Sequence, residues 1–317
     1  MSFFTQLPVD SYVADAVRGL ALSADFDLAT ARSLAWMSQL SYETDPDKIA
    51  TVCGKLDIGL VGAPIHRRVG RGLPLASTHA LVLDFGDALV VAFAGTDPVH
   101  LANGVSDFDI RQTDGGATAG FTMALRAVEQ DILSALPTGR PVMVTGHSLG
   151  GALAVLFAQW LETMGRHATA VYTYGAPRPG RRDFSEPYNA SDLGARTFRC
   201  VHGDDIVPTV APSEPLGFRH VGRFVHAPTG GKFLGPVGAA GVDLPAFAKG
   251  IADELSAVFH NPRAVAGAFM GRLRSVAGIL AGKPPAGRRN ELAGITIEML
   301  PARVRHHLPD QYIAACS

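Results

Sequence analysis

The sequence predicts an α/β fold with a largely parallel central sheet that helices cover on both faces. Short apolar, β-branched runs alternate with segments of helical periodicity, and most connections between the runs are too long for hairpins. Polar residues also follow several runs directly, where parallel strands place active-site side chains. Thr96, Ser148 and Asp205 stand at such positions. We therefore expect these three residues to share one site.

Periodicity and turn residues justify the individual elements. Helices are predicted over 9–25, 28–44 and 120–136 and from Leu149 onward. Strands are predicted over 78–85, 88–95, 141–145, 168–174 and 196–202 and within 217–226. Gly86-Asp87 joins the first two strands as a tight hairpin loop, and Asp45-Pro46 is expected to close the second helix.

Residues 228–295 depart from this alternation. They are rich in Gly, Pro and Ala and contain helical runs between Leu244 and Leu280. A cap over the site, a helix pair on the sheet and a flexible excursion are all compatible with this pattern. With no internal repeat in the sequence, we predict that residues 1–317 form one domain with a cap-like excursion at about 228–295.

Composition narrows the classes of function. The 317 residues are 47% hydrophobic with a net charge of −1, which gives no electrostatic reason to expect nucleic acid as a partner. No apolar run reaches membrane-spanning length, and the N-terminus lacks the pattern of a signal peptide. These features predict a cytoplasmic protein, with leaderless secretion left open. Cys53, Cys200 and Cys316 lack metal-ligand spacing, so we expect reduced thiols, no metal and no cofactor.

The stretch 141–158 contains the strongest motif. A buried-strand pattern leads into Gly146-His147-Ser148-Leu149-Gly150, and helical periodicity follows. Gly-x-Ser-x-Gly between a strand and a helix is typical of a sharp turn that presents a nucleophilic serine above a sheet. An incidental serine in a glycine-rich turn is the alternative, but the flanking strand and helix favour the nucleophile. The sequence thus predicts Ser148 as a catalytic nucleophile.

A serine nucleophile needs a base, and the base needs a carboxylate to orient it. Asp205 begins a proline-bounded turn after a predicted strand, and we favour it over Asp204 because adjacent side chains usually point to opposite sides. Asp183 lies in a charged run typical of a solvated turn. Among the later histidines, composition alone leaves His220, His226 and His307 as alternatives.

The reaction also generates an oxyanion, which N–H donors must stabilise. The residue after the nucleophile, Leu149, offers its backbone N–H. Thr96, after Phe93-Ala94-Gly95, is the predicted second donor, with a helix cap or turn residue as its alternative role.

These residues resemble the class 3, or fungal-type, lipase family of α/β hydrolases. The likeness covers Ala31–Tyr42, Phe93–Thr96, Gly120-Phe121, Thr145–Ala154, Tyr174–Gly180, His202–Pro208 and Gly217–Gly222. In that family the Asp before Ile-Val-Pro is catalytic, which implies Asp205. The family's histidine often lies near the C-terminus with a tyrosine five residues later, which implies His307 with Tyr312 and sets His220 aside.

The resemblance also makes Phe93–Thr96 the oxyanion loop and implies a lid after it, at about 97–119. An ordinary surface loop is the alternative for that stretch. Three features depart from the family pattern: Ala94 stands where Arg is usual, Thr118 or Ala119 replaces a common histidine, and the segment between Pro208 and His307 is long.

The resulting hypothesis is a serine lipase or carboxylesterase that acts on acylglycerols or other carboxylic esters. Ser148, Asp205 and His307 would form its catalytic triad, and Thr96 with Leu149 its oxyanion hole. Its partners would be a lipid or small ester, with transient contact at a lipid interface. A phospholipase A1, a feruloyl-type esterase or an acyltransferase would use the same site. A non-enzymatic scaffold is disfavoured because all these residues are present.

Overall fold

The structure is a computed structural model that describes residues 5–68, 77–95, 113–209, 213, 216–241 and 302–317. Its strands are β1 (Gly59–Leu60), β2 (Ile65–Arg68), β3 (Ser77–Asp84), β4 (Leu89–Phe93), β5 (Val142–His147), β6 (Ala168–Tyr174), β7 (Gly180–Arg181), β8 (Thr197–His202), β9 (Phe218–Arg219), β10 (Arg223–Ala227) and β11 (Pro236–Val237). Its α-helices are α1 (Leu28–Leu40), α2 (Pro46–Leu56), α3 (Ala119–Arg126), α4 (Glu129–Ala135), α5 (Leu149–Thr163), α6 (Arg182–Ala190), α7 (Asp192–Ala195), α8 (Ala302–Arg305) and α9 (Pro309–Ala315).

Nine of the described strands form one sheet. Its order is β1-β3-β4-β5-β6-β8-β10-β11, with β2 paired to β3. Strands β4, β5, β6, β8 and β10 run parallel to their neighbours within this group. The pairs at the two ends of the order are antiparallel, including the predicted hairpin of β3 and β4. This arrangement confirms the predicted α/β class.

Both faces of the sheet are buried. In β4, Leu89 and Phe93 lie in one apolar cluster, whereas Val90 and Ala92 lie in a second, because successive side chains point to opposite faces. Helices α3, α4 and α5 contribute apolar side chains to the first cluster, and α1, α2 and α9 contribute to the second. The central strands are therefore apolar without alternation, as expected when a sheet is covered on both sides.

Three element predictions are corrected by the structure. The predicted helix 9–25 is instead an irregular segment with two 3-10 turns, Val9–Ser11 and Ala14–Ala16. Pro46 does not close a helix but begins α2, with the Asp45 carboxylate accepting hydrogen bonds from the N–H groups of the first turn. The predicted helix 120–136 divides into α3 and α4.

The first residues of the predicted excursion pack on the main sheet. Within Pro228–Gly241, strand β11 pairs with β10, and buried Phe233 donates its N–H to the Ala315 carbonyl of α9. Residues 242–295 lie outside the described residues. None of the described helices is long and apolar enough to cross a membrane.

Candidate active site

Ser148 occupies a sharp turn between β5 and α5, the elbow formed by Gly146–Gly150. Its backbone has φ 59° and ψ −133°, a conformation that residues with a side chain rarely adopt and that costs about 1–3 kcal/mol. Neighbouring backbone leaves no room for a Cβ at Gly146, which lies against Gly150, or at Gly150, which lies against Phe93 and Ala94. The motif glycines thus allow the tight packing that holds the serine in this strained turn.

The turn brings the Ser148 hydroxyl to the carboxyl ends of the parallel strands. The Ser148 N–H donates to the Tyr174 carbonyl of β6 over 2.8 Å, which ties the turn to the neighbouring strand. The side chain is buried, and its Oγ has no hydrogen-bond partner among the described residues. Leu149 is the first residue of α5, so its N–H is one of the donors that the helix itself does not satisfy.

Asp205 and His307 form a buried pair at the same edge of the sheet. His307 Nδ1 lies 2.7 Å from Asp205 Oδ2, and the two side chains are 1% and 0% exposed. A carboxylate oxygen only accepts, so Nδ1 carries the proton and the lone pair is at Nε2. That Nε2 is buried with no hydrogen-bond partner among the described residues. The imidazole is therefore oriented as a base with its accepting nitrogen unoccupied.

Two further donors hold the Asp205 carboxylate. The Val207 N–H donates to Oδ1 over 2.9 Å, and the Tyr312 hydroxyl donates to Oδ2 over 2.5 Å. Tyr312 is fully buried, and its pKa is raised by burial and by the negative charge of Asp205, so the phenol remains a donor. Three donors on one carboxylate stabilise its negative charge in a buried position.

His307 reaches the elbow from the C-terminal part of the chain. It lies between α8 and α9, and its backbone carbonyl is 2.6 Å from His147 Nε2. The His147 and His307 rings pack with centroids 4.6 Å apart. Because His147 directly precedes Ser148, this contact places the His307 loop against the elbow.

The competing acids lie elsewhere. Asp204 is exposed, and its backbone N–H donates to His306 Nδ1. Asp183 is exposed in the first turn of α6, where a carboxylate stabilises the helix dipole.

The two alternative histidines, His220 and His226, have other surroundings. His220 is buried, and burial together with the charges of Arg199 and Arg178 holds its pKa well below the usual value. His226 donates through Nε2 to the Gly203 carbonyl over 3.1 Å. Of the three histidines left open by composition, the structure brings only His307 to Asp205.

Tyr42 and His147 are part of the site although no sequence pattern indicated it. The Tyr42 hydroxyl is 2.7 Å from His147 Nδ1, and both residues are buried. Tyr42 lies just beyond α1, whereas His147 ends β5. No spacing in the sequence relates these two positions, so only the folded chain reveals the contact.

The predicted second oxyanion donor, Thr96, lies outside the described residues, as does 97–112 of the predicted lid. The described residue before Thr96 is Gly95, where an added Cβ would lie 2.7 Å from Ser148 Cβ. The oxyanion loop therefore starts in contact with the elbow. Among the described residues no group of three or more His, Cys, Asp or Glu is arranged to hold a metal ion.

Known proteins resemble this chain in sequence. The model of the class 3 lipase family matches residues 90–214. Secreted mono- and diacylglycerol lipase 1 of Fusarium solani is 33% identical over 173 residues, which are 51% of this chain and 49% of that protein. Secreted mono- and diacylglycerol lipase A of Penicillium cyclopium is 26% identical over 244 residues, 70% of this chain and 78% of that protein. This chain thus spans about half of the first relative and about three quarters of the second.

Among solved structures, lipase II from Rhizopus niveus is 24% identical, with a TM-score of 0.48 over 64% of this chain and 82% of that one.

The predicted cytoplasmic location is wrong, because the Fusarium and Penicillium relatives are secreted lipases. That prediction was based on the lack of a recognisable signal-peptide pattern and of a membrane-spanning apolar run. The family match includes β4, the elbow and Asp205, on a parallel sheet with the predicted order of elements. Over residues 90–214 this chain is therefore similar to the class 3 lipase family.

Proposed function

We propose that the protein is a serine lipase or carboxylesterase that hydrolyses acylglycerols or other carboxylic esters. Ser148 is the nucleophile, His307 the general base and acid, and Asp205 the carboxylate that orients His307. The single observation that carries this proposal is the buried His307–Asp205 pair, 2.7 Å apart, beside a serine in a strained strand-to-helix turn. A purely structural pair would give no reason to retain that strain at Ser148.

The orientation of the imidazole supports a defined route for the proton. Ser148 Oγ attacks the ester carbonyl carbon while its proton moves to His307 Nε2, and the resulting imidazolium is stabilised by the Asp205 carboxylate. The tetrahedral oxyanion accepts hydrogen bonds from the Leu149 N–H and, in this proposal, from Thr96. Collapse of the intermediate breaks the ester C–O bond, and His307 returns the proton to the departing alcohol.

Hydrolysis of the acyl-enzyme repeats these steps with water. His307 Nε2 takes a proton from the water as its oxygen attacks the acyl carbon, and then returns the proton to Ser148 Oγ. The products are a free carboxylic acid and the regenerated serine. Each step uses Nε2 alone, so Nδ1 can remain bound to Asp205 throughout.

Acylglycerols are the proposed substrate class because the two sequence relatives are named as mono- and diacylglycerol lipases. Of the predicted lid 97–119, Thr118 donates its N–H to the Pro179 carbonyl over 3.0 Å and Ala119 begins α3. The proposed lid is therefore 97–112, which would contact the lipid surface through Val99, Leu101, Val105, Phe108 and Ile110. This lid and its lipid contact remain a prediction from the sequence.

A series of p-nitrophenyl esters of increasing chain length and emulsions of mono-, di- and triglycerides test the activity. We expect hydrolysis by the wild type, none by Ser148→Ala, and one covalent adduct on Ser148 with an organophosphonate. A jump in rate when substrate forms an interface supports the lid, whereas simple saturation with soluble esters supports an esterase.

A matched pair of variants tests the assigned acid. Asp205→Asn is expected to lower kcat by about 10³- to 10⁴-fold, because it disturbs the tautomer and removes the charge that stabilises the imidazolium. Asp204→Asn changes the exposed neighbour and should leave kcat unchanged. Equal activity of the two variants, or an unlabelled Ser148 at high phosphonate concentration, would contradict the proposed function.

A further inference from the structure

His147 connects two parts of the site that are far apart in sequence. One ring nitrogen, Nε2, lies 2.6 Å from the His307 carbonyl oxygen, and the other, Nδ1, lies 2.7 Å from the Tyr42 hydroxyl. A carbonyl oxygen only accepts, so Nε2 must donate and carry the proton. In the neutral ring Nδ1 is then the acceptor, and the Tyr42 hydroxyl donates to it. The two contacts fix a single tautomer of His147.

The ring also remains neutral. His147 is buried, and burial together with the nearby His307 holds its pKa well below the usual value. A neutral ring adds no full charge beside His307, and it cannot replace His307 as the base because both nitrogens are occupied. Its role in the site is thus to hold other groups.

The contacts of His147 surround the groups that carry the proposed chemistry. Its backbone leads directly into Ser148, its ring packs on the His307 ring at 4.6 Å, and it touches the ring of Tyr312 at 5.6 Å. The Tyr42 hydroxyl lies close to Gly95, because a Cβ added to that glycine would be only 2.6 Å from the hydroxyl oxygen. One buried ring therefore touches the elbow and the His307 loop, while its partner Tyr42 touches the start of the oxyanion loop.

The Asp205 contact alone leaves His307 incompletely fixed. A hydrogen bond at Nδ1 sets the tautomer of the imidazole but permits the ring and its loop to pivot about that bond. Holding the backbone carbonyl of the same residue supplies a second point of attachment. Displacement of a base by about 1 Å is enough to reduce a rate by about 100-fold, so this second attachment bears on catalysis.

We propose that His147 is a positioning residue that holds His307 toward Ser148 through the His307 backbone carbonyl, with Tyr42 fixing the tautomer that makes this possible. This inference rests on the proposed function, because His307 must act as the base on Ser148. It predicts that the donor at the Nε2 position matters more than the shape of the ring.

Two amide substitutions separate these roles. The Gln side-chain NH₂ can take the position of Nε2, so His147→Gln keeps the donor to the His307 carbonyl. The Asn side chain reaches only the position of Nδ1, so His147→Asn loses that donor. We expect His147→Asn to lower kcat by about 10- to 100-fold with little change in KM, and His147→Gln to stay within about fivefold of the wild type.

Tyr42→Phe provides a second variant that leaves His147 in place. Without the hydroxyl, Nδ1 loses its hydrogen-bond donor, so the ring is held at one nitrogen only and the bond from Nε2 to the His307 carbonyl is less firmly positioned. We expect a loss in kcat that lies between those of His147→Gln and His147→Asn. Thermal unfolding of every variant distinguishes an effect on the site from a loss of the fold.

A proton NMR spectrum in water gives a readout that does not depend on activity. The His307 Nδ1–H proton, bonded to a buried carboxylate, should give a far-downfield resonance that is absent in Asp205→Asn. We expect this resonance to persist in His147→Gln and to broaden or vanish in His147→Asn. Ser148 labelling by the phosphonate should slow in parallel with kcat.

The outcomes separate the two proposals. An inactive, unlabelled wild type would contradict the proposed function and with it the catalytic role of His147, while loss of the downfield resonance in His147→Asn would still show that His147 holds the His307–Asp205 pair in place. A fully active wild type, with folded His147→Asn that has wild-type kcat and an unchanged resonance, would overturn the role of His147. Equal losses of kcat in His147→Asn and His147→Gln would also overturn this role. The shape of the imidazole ring, and not the donor at Nε2, would then determine the rate.

Discussion

Gly175 packs directly against the His307–Asp205 pair and leaves no room there for a side chain of its own. Its φ of +61° suits glycine, and an added Cβ would lie 2.6 Å from Asp205 Oδ2 and 2.9 Å from both His307 Nδ1 and the Tyr312 hydroxyl. The chain turns here directly after β6. Any side chain at this position must displace the carboxylate or the imidazole, so glycine is required by the site as well as by the backbone.

Gly175→Ala is therefore expected to lower kcat by about 100-fold or more. The control is Gly165→Ala, which has a similar φ of +68° but nothing within 4 Å of the added Cβ. Both variants should lose about 1 kcal/mol of stability from backbone strain. Steady-state kinetics and thermal melts of the pair check this, and equal kcat values for the two variants would contradict it.

His79 makes the stability of the folded protein depend on pH. His79 packs on His66 across β2 and β3, with ring centroids 3.9 Å apart, and its pKa is lowered to about 4 by burial and by His66. Above pH 6.5 the group is neutral in both the folded and unfolded states and has no effect. Between pH 6.5 and about 4 the unfolded chain binds a proton that the folded chain does not.

The free energy of unfolding should therefore fall as the pH drops through that window, by up to about 1.4 kcal/mol per pH unit from this group. His79→Phe keeps an aromatic ring but cannot titrate, so its stability should depend less on pH there. Denaturant titrations of both proteins at a series of pH values measure the difference. Parallel curves for wild type and variant would refute the assignment to His79.

At the residue scale, the sequence was most informative where chemistry has a local signature. Ser148 stands in a five-residue motif and Asp205 in a recognisable turn, whereas composition left three histidines open until the family resemblance favoured His307. The structure places His307 Nδ1 2.7 Å from Asp205 Oδ2. Tyr42 and His147 had no such signature, because their contact spans 105 positions and exists only after the chain folds.

One buried side chain, that of Glu43, holds the irregular N-terminal segment in place. Glu43, just beyond α1, is 3% exposed and accepts the Leu7 N–H and the Tyr12 hydroxyl on Oε1, both at 2.9 Å. Lys48 Nζ lies 2.6 Å from its other oxygen. These contacts hold the irregular segment around the two 3-10 turns against α1 and α2.

Glu43→Gln should lower the free energy of unfolding by about 2–3 kcal/mol, because a charged acceptor with three donors is lost from a buried position. The matched control is Arg18→Ala, which removes the ion pair of Arg18 with Asp15, whose side chains are 74% and 72% exposed. That change should have no measurable effect on stability. Chemical denaturation measures both, and a loss for Arg18→Ala as large as that for Glu43→Gln would argue against the role of burial.

At the element scale, periodicity located the central strands and α1, but failed where tertiary contacts decide. The apolar residues of 9–25 suggested a helix, yet Tyr12, Ala16 and Val17 reach the core from an irregular backbone. At Pro46 the sequence did contain the pattern for a helix start, an Asp followed by a Pro. Asp-Pro is typical of the first residues of a helix as well as of a break, and the capping contacts of Asp45 identify the former.

For the molecule as a whole, the two apolar clusters share the same strands. Strands β3, β4, β5 and β6 contribute alternate side chains to the clusters on the two faces of the sheet, so neither cluster can be assembled without these strands. From this shared sheet we infer that the described residues unfold as one cooperative unit, in line with the single domain that the sequence predicts for 1–317.

The two tryptophans of the chain allow a direct test, because Trp36 belongs to one cluster and Trp160 packs against the other. Trp36→Phe leaves a fluorophore that reports on the face covered by α5, and Trp160→Phe leaves one on the face covered by α1. In each variant the fluorescence transition should coincide with that of far-ultraviolet circular dichroism, as two-state unfolding requires. A midpoint for one tryptophan clearly separated from its own circular dichroism transition would show that the faces unfold independently. The two clusters would then belong to separate folding units, despite the strands they share.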